Sequence, residues 1–189
     1  MEGPHTPSGR MVIRPPLHLL RRHVPADARE ASDVGRVQAL VAAQARWWHR
    51  DTLPGHVTAS AWIVDPTRTQ VLLLHHGKAK RWLQPGGHWE DDPDLESAAL
   101  RETREETGLT RLQPIGGLFD VDVHTIPARG AMPAHEHHDL RVLVEADPAE
   151  PLRISDESSD LRWWRLDALP LEDPSDSLHR MAAKVRESR

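Results

Sequence analysis

The stretch from Gly87 to Leu109 constrains this chain more than any other, because the sequence spells out both ends of a short acidic helix there. Asp92 and Pro93 read as an N-cap followed by proline at the first helical position. Gly108 sits where a helix C-terminus favours a left-handed residue. Between these ends Glu102, Glu105 and Glu106 fall at i, i+3 and i+4, so their carboxylates leave one helical face. Each like-charge neighbour costs roughly 0.2 to 0.5 kcal/mol on an exposed helix, so the cluster favours a bound cation over a bare solvated face. Arg101 lies four residues before Glu105 and can hold one carboxylate in place. Hard oxygen ligands on a rigid helix suit Mg2+ or Mn2+. Gly86 and Gly87 let the backbone come close to a ligand just before the helix, where a main-chain carbonyl adds a further oxygen.

These residues resemble the Nudix box: Gly, five residues, Glu, seven residues, then Arg-Glu-apolar-any-Glu-Glu-any-Gly-apolar. Gly87, Arg101, Glu102, Glu105, Glu106, Gly108 and Leu109 fall in register with it. Pro93 stands where the box has its first Glu, and Thr103 where it has an aliphatic residue. Asp92, Asp94 and Glu96 are the carboxylates near enough in sequence to replace the missing one.

The resemblance implies an α/β chain with a Nudix-like α/β/α sandwich and a mixed sheet. It also implies an Mg2+-dependent hydrolase, with Mn2+ as the second choice, cleaving a diphosphate linkage in a nucleoside diphosphate joined to another moiety. On that reading the Gly86 carbonyl, Glu102, Glu105 and Glu106 bind metal, and Arg101 orients carboxylates. Glu105 is the general base, with Glu157 in the loop ISDESSD as the second carboxylate for that task. Gly87, His88, Trp82 and His137 are the substrate contacts. The alternatives are a catalytically silent Nudix-fold regulatory module and a pyrophosphatase that sanitises nucleoside triphosphates. An isoprenoid diphosphate isomerase resembles chemistry that needs a cysteine, and this chain has none.

At 189 residues the chain has room for one domain and an appendage. Residues 1–25, rich in Pro, Arg and His without periodicity, read as a flexible N-terminal segment. Residues 26–50 carry Val34, Val37, Leu40, Val41, Ala45, Trp47 and Trp48 mostly at three-to-four spacing, which predicts one amphipathic helix. Its Trp pair then packs into the core or a homodimer interface. Residues 55–189 are the hydrolase domain. HVTASAWIVD, TQVLLLHH, LFDVDVHTI, LRVLVEAD and LRWWRLDAL read as strands, and a last helix follows, so a sheet covered by helices on both sides is expected.

Two features resist a role from spacing alone. His135, His137 and His138 fall in a Pro, Gly and His-rich connection, read as a loop with a polar rim toward substrate phosphate rather than a zinc site. Trp82 and Trp89 flank the glycine pair, which makes them candidates for stacking on a base. Composition excludes more than it assigns. With no cysteine there is no disulfide, thiolate metal site or cysteine nucleophile. No apolar run approaches the ~20 residues of a membrane span, so no membrane partner and a cytoplasmic location are expected. A net charge of −5 gives no footprint for nucleic acid, leaving a small nucleotide-like molecule as the expected partner.

Overall fold

The computed structural model describes residues 12–170 and 176–188. In chain order these form α1 (Leu17–Arg22), α2 (Ala28–Ala43), β1 (Gly55–Val64), β2 (Gln70–His76), β3 (Arg81–Leu83) and β4 (Gly86–His88). They continue with α3 (Leu95–Thr107), β5 (Leu112–Ile126), β6 (His135–Ala146), β7 (Ser158–Arg165) and α4 (Ser177–Glu187).

Every residue of β1 is buried, as expected of a strand in mid-sheet with both faces covered. It pairs in parallel with β6, from Gly55 opposite Glu136 to Val64 opposite Glu145. On its other edge it pairs antiparallel with β4 near Thr58–Ser60 and with β2 at Ile63 and Val64. β5 adds antiparallel to β6, while β3 and β7 both add to β2, completing a mixed seven-stranded sheet.

Alternation along the strands makes two cores. Val57, Ala59, Ala61 and Ile63 of β1 face α2 and α3, together with Leu72, Leu74, Leu140 and Val142. Trp62 and Val64 point the other way and meet Leu178, Met181 and Val185 of α4, together with Val71, Leu73 and Leu143. Trp163 and Trp164 divide between the two cores in the same manner, as neighbours on a strand must. No helix of the described residues is long and apolar enough to cross a membrane.

Helix α3 buries Leu95, Ala98, Ala99, Leu100 and Thr103 against the sheet. Thr103, at the aliphatic position of the box, is tolerated there because its hydroxyl donates to the Ala99 carbonyl at 2.8 Å, leaving no orphaned polar group. Gly108 ends the helix at φ 74°, and a Cβ there would lie 2.8 Å from Arg153 Cβ. Gly108→Ala is therefore expected to lower stability by about 1 to 2 kcal/mol in denaturant unfolding, and an unchanged midpoint would refute the strain argument.

Four expectations need correction. The helix after residue 26 stops at Ala43, not near residue 50, because the chain turns extended at Gln44 and Trp47 offers its carbonyl to Val57 N of β1 at 2.8 Å. Trp47 is nevertheless buried, edge-on to Trp89 at 4.9 Å, so the apolar stripe finds its partner within the chain. Within the segment expected to be flexible, residues 17–22 form α1, held by Leu20 in the core; residues 1–11 lie outside the described residues. The N-cap of α3 is Asp94, which accepts from Ser97 N at 3.0 Å, and not Asp92, whose carboxylate is taken by Arg101. Finally, His135, His137 and His138 open β6 rather than lying in a loop, because β1 and β5 pair with that segment from both edges.

Candidate active site

The turn from β4 into α3 sets Gly86 and Gly87 against the acidic helix face. A Cβ on Gly86 would sit 2.6 Å from Ser60 Cα, so that position is closed to a side chain, and one on Gly87 would sit 2.7 Å from the Glu102 carboxylate and displace it. Gly86 N donates to Glu106 Oε2 at 2.8 Å. Arg101 fans across the site. It donates to Asp92 through Nε and Nη2 at 3.1 and 2.9 Å, to the His88 carbonyl at 2.9 Å, and to Glu102 Oε1 at 2.9 Å. Its contact to Glu105 Oε2 is longer, 3.3 Å.

One guanidinium therefore ties the β4 backbone to three carboxylates, and the sequence expectation that it positions them has a geometric basis. It also reaches one of the three carboxylates near the missing box position. Asp92 meets Arg101, Asp94 caps α3 and pairs with Arg14, and Glu96 is exposed.

The three glutamates are not equivalent. Glu105 is 59% exposed at the side chain, whereas Glu102 and Glu106 are turned inward. Burial, followed by the charges of Glu102, Glu157 and Glu105, pushes the Glu106 carboxyl up to about 7 against the pull of the Gly86 N–H. Burial also raises Glu102, although Arg101 opposes it. Two inward carboxylates with raised pKa values and only part of their charge compensated form a donor set that fits a hard divalent cation. Glu157 is exposed in the turn before β7 and near enough to act on Glu106 through its charge. Asp92→Ala is expected to weaken divalent-cation affinity ~10- to 100-fold, as loss of a group that orients a ligand commonly does. Asp94→Ala should instead cost about 1 kcal/mol of stability through the lost cap, with the calorimetric metal titration unchanged. Equal titration curves for both variants would refute this division of labour.

Not all expected contacts converge here. His88 and His137 lie on the face of the sheet away from α3, with His56 of β1. Burial, then the charges of neighbouring groups, lowers His56 and His88 to about 4, so both rings are neutral. Trp82 of β3 is met by Trp164 and His75 at 5.0 and 5.3 Å and is half-buried. Trp89 is no stacking platform: it is 1% exposed, and its indole N–H donates to the Asp92 carbonyl at 2.9 Å.

Sequence reasoning missed a polar cluster on this second face. Asp139 accepts from Ser60 at 2.7 Å, Thr58 at 3.0 Å, Gln84 at 3.1 Å and Arg141 at 2.7 Å. The period of two in His135, His137, Asp139 and Arg141 was the available signal, hidden by reading the histidines as a loop.

Comparison with known proteins gives a consistent picture. A model of the NUDIX domain matches residues 54–184. Nudix hydrolase 4 of Arabidopsis thaliana is 56% identical over 47 residues, which cover 25% of this chain and 23% of that protein. An m7GpppN-mRNA hydrolase of Xenopus laevis, NUDT17, is 34% identical over 94 residues, covering 45% of this chain and 31% of its own length. This chain thus spans under a third of either relative. Among solved structures, a C. elegans Ap4A hydrolase complex superposes with a TM-score of 0.52 at 22% identity, covering 70% of this chain and 93% of that one. A Nudix hydrolase from M. smegmatis gives 0.51 at 23% identity, covering 71% and 86%. These likenesses speak for the fold.

Proposed function

This chain belongs to the Nudix family, and from that premise we propose that it is a pyrophosphohydrolase dependent on a divalent metal. The proposed reaction cleaves the diphosphate linkage of a nucleoside diphosphate joined to another group. The observation that carries the reading is the inward pair Glu102 and Glu106 beside Gly86 and Gly87, with Arg101 tying Asp92, Glu102 and the β4 backbone together. The Xenopus laevis relative supports the substrate class, since m7GpppN-mRNA joins a nucleotide through a phosphate chain to a second group.

In this reading Glu102, Glu106 and the Gly86 carbonyl hold Mg2+, with Mn2+ as a substitute. When bound there, the ion would supply charge to neutralise phosphate oxygens and make water more acidic. Glu105 takes the proton from the attacking water, because its carboxylate reaches solvent while Arg101 limits its swing. Glu157 is the alternative base, and the glycine pair lets the phosphate chain approach the backbone. Of the contacts expected from sequence for the rest of the substrate, Trp82 is kept, whereas the His88 and His137 rings lie on the sheet face away from α3 and are not assigned to it.

A panel of nucleotide diphosphate conjugates and nucleoside triphosphates, assayed with Mg2+ for nucleoside monophosphate and pyrophosphate, tests the reading. Turnover of conjugates with release of a monophosphate is expected. Pyrophosphate released from triphosphates alone would replace it by the sanitising enzyme, and tight binding without turnover by the silent module.

A further inference from the structure

The three histidines that sequence places side by side divide between the two faces of the sheet, and one of them meets two that the sequence scatters. His138 turns toward Glu136, at 3.3 Å, on the α2 side of the sheet. His137 instead meets His56 and His88 across strands β6, β1 and β4, and one ring nitrogen from each lies within 4.8 Å of the other two. We propose that His56, His88 and His137 form a three-imidazole site for one d-block divalent cation of the zinc class, on the opposite face of β4 from the glutamates.

Geometry carries the proposal. Tetrahedral ligation with Zn–N bonds of about 2.0 to 2.1 Å sets ring centroids about 5 Å apart. The centroids lie 5.1 Å apart for His56 and His88, 4.9 Å for His56 and His137, and 5.3 Å for His88 and His137. Their planes are inclined at 31°, 56° and 78°, so the three rings do not form a face-to-face stack.

The donor atoms point the same way. His56 is fully buried, yet its Nε2 has no hydrogen-bond partner, an orphan that a structure normally avoids. Its Nδ1 faces the Thr52 carbonyl at 3.5 Å, the arrangement in which a metal-bound imidazole is oriented through its other nitrogen. His88 and His137 are half-buried, so the trio is not sealed from solvent, and water would complete a four-coordinate ion. His135 stacks on His56 at 5.2 Å and commits Nδ1 to the Pro133 carbonyl, which makes it packing for the trio. Three neutral nitrogens without a carboxylate favour zinc, nickel or cobalt over magnesium, which keeps the two proposed sites chemically distinct.

The test is a Co2+ titration of the chelator-stripped full chain, with excess Mg2+ present and visible d–d absorption as the readout. One equivalent with an intense tetrahedral spectrum, displaced by Zn2+, is expected. It should persist in the Glu102→Gln/Glu106→Gln variant, and Co2+ affinity should fall more than ~100-fold in His88→Ala and in His137→Ala, since a lost ligand exceeds the usual effect of an orienting group. These two positions carry the test even if His56→Ala fails to fold. A weak octahedral spectrum, a band unchanged in the histidine variants, or a band lost with the glutamates would each overturn the site, whatever the diphosphate assay shows.

Discussion

Glu106→Gln is expected to lower kcat by ~100- to 10,000-fold at saturating Mg2+, the several kcal/mol that an ion's charge supplies to a phosphoryl transition state. The same change should stabilise the metal-free protein at neutral pH. Burial raises the Glu106 carboxyl from its ordinary 4.5 to about 7 in the folded chain. The unfolded chain therefore ionises this group first as pH rises. Folded stability is unaffected below 4.5, declines between 4.5 and 7, and is reduced above that by on the order of 3 kcal/mol. Glutamine removes the charge and with it this decline. Bound Mg2+ should offset the decline in the parent, because a cation lowers the carboxyl pKa. Thermal melts at pH 5 and 7.5, with and without Mg2+, read all of this. Near-parental kcat, or parent and variant melting in parallel across pH, would refute the placement of Glu106 as a buried ligand.

Arg141→Met should be the most destabilising single change among the buried charges, costing about 3 to 5 kcal/mol at neutral pH. The Arg141 side chain is 3% exposed and meets three carboxylates: Asp139 at 2.7 Å, Asp120 at 3.1 Å and Asp122 at 3.4 Å. Arg180 and Lys184 reach Asp120 from α4 at 2.9 and 2.7 Å, but among the described residues Asp139 would keep no cation. Burial pushes the Asp122 carboxyl up, while a hydrogen bond from His124 and the charge of Arg141 bring it well below the ordinary range. A depressed acid contributes stability that is present at neutral pH and lost as pH falls below its unfolded value. Without Arg141 that contribution shrinks, so the variant's deficit should be largest near pH 7 and narrower at about pH 3, below the unfolded value of 3.8. Denaturant unfolding at both values tests this; a deficit under 1 kcal/mol at neutral pH would refute it.

Parts of the molecule follow from local sequence, for a physical reason. The ends and faces of α3 depend on neighbours three and four residues apart, and so Gly108 as its stop and the shared face of Glu102, Glu105 and Glu106 were legible. The strands declared themselves by apolar runs and alternation, and the box spacing pointed to the family before any contact was known. Asp92 and Asp94, by contrast, are equally good caps on paper. Only the reach of Arg101 across nine residues assigned the first to the guanidinium and left the second to the helix.

The helix after residue 26 shows the same limit. Its stripe continues to Trp48, but a hydrogen bond from Val57 pulls Trp47 into pairing with β1 and ends it early. The histidines show it most clearly. Period and composition made His135 to His138 one cluster, whereas strand geometry sends alternate side chains to opposite faces. The parallel register that sets His137 against His56 spans about eighty residues of chain. Sequence determined the acidic face of one helix and the family to which the chain belongs. Tertiary structure decided which of them meet, because strand pairing and buried charge depend on partners that no local pattern encodes.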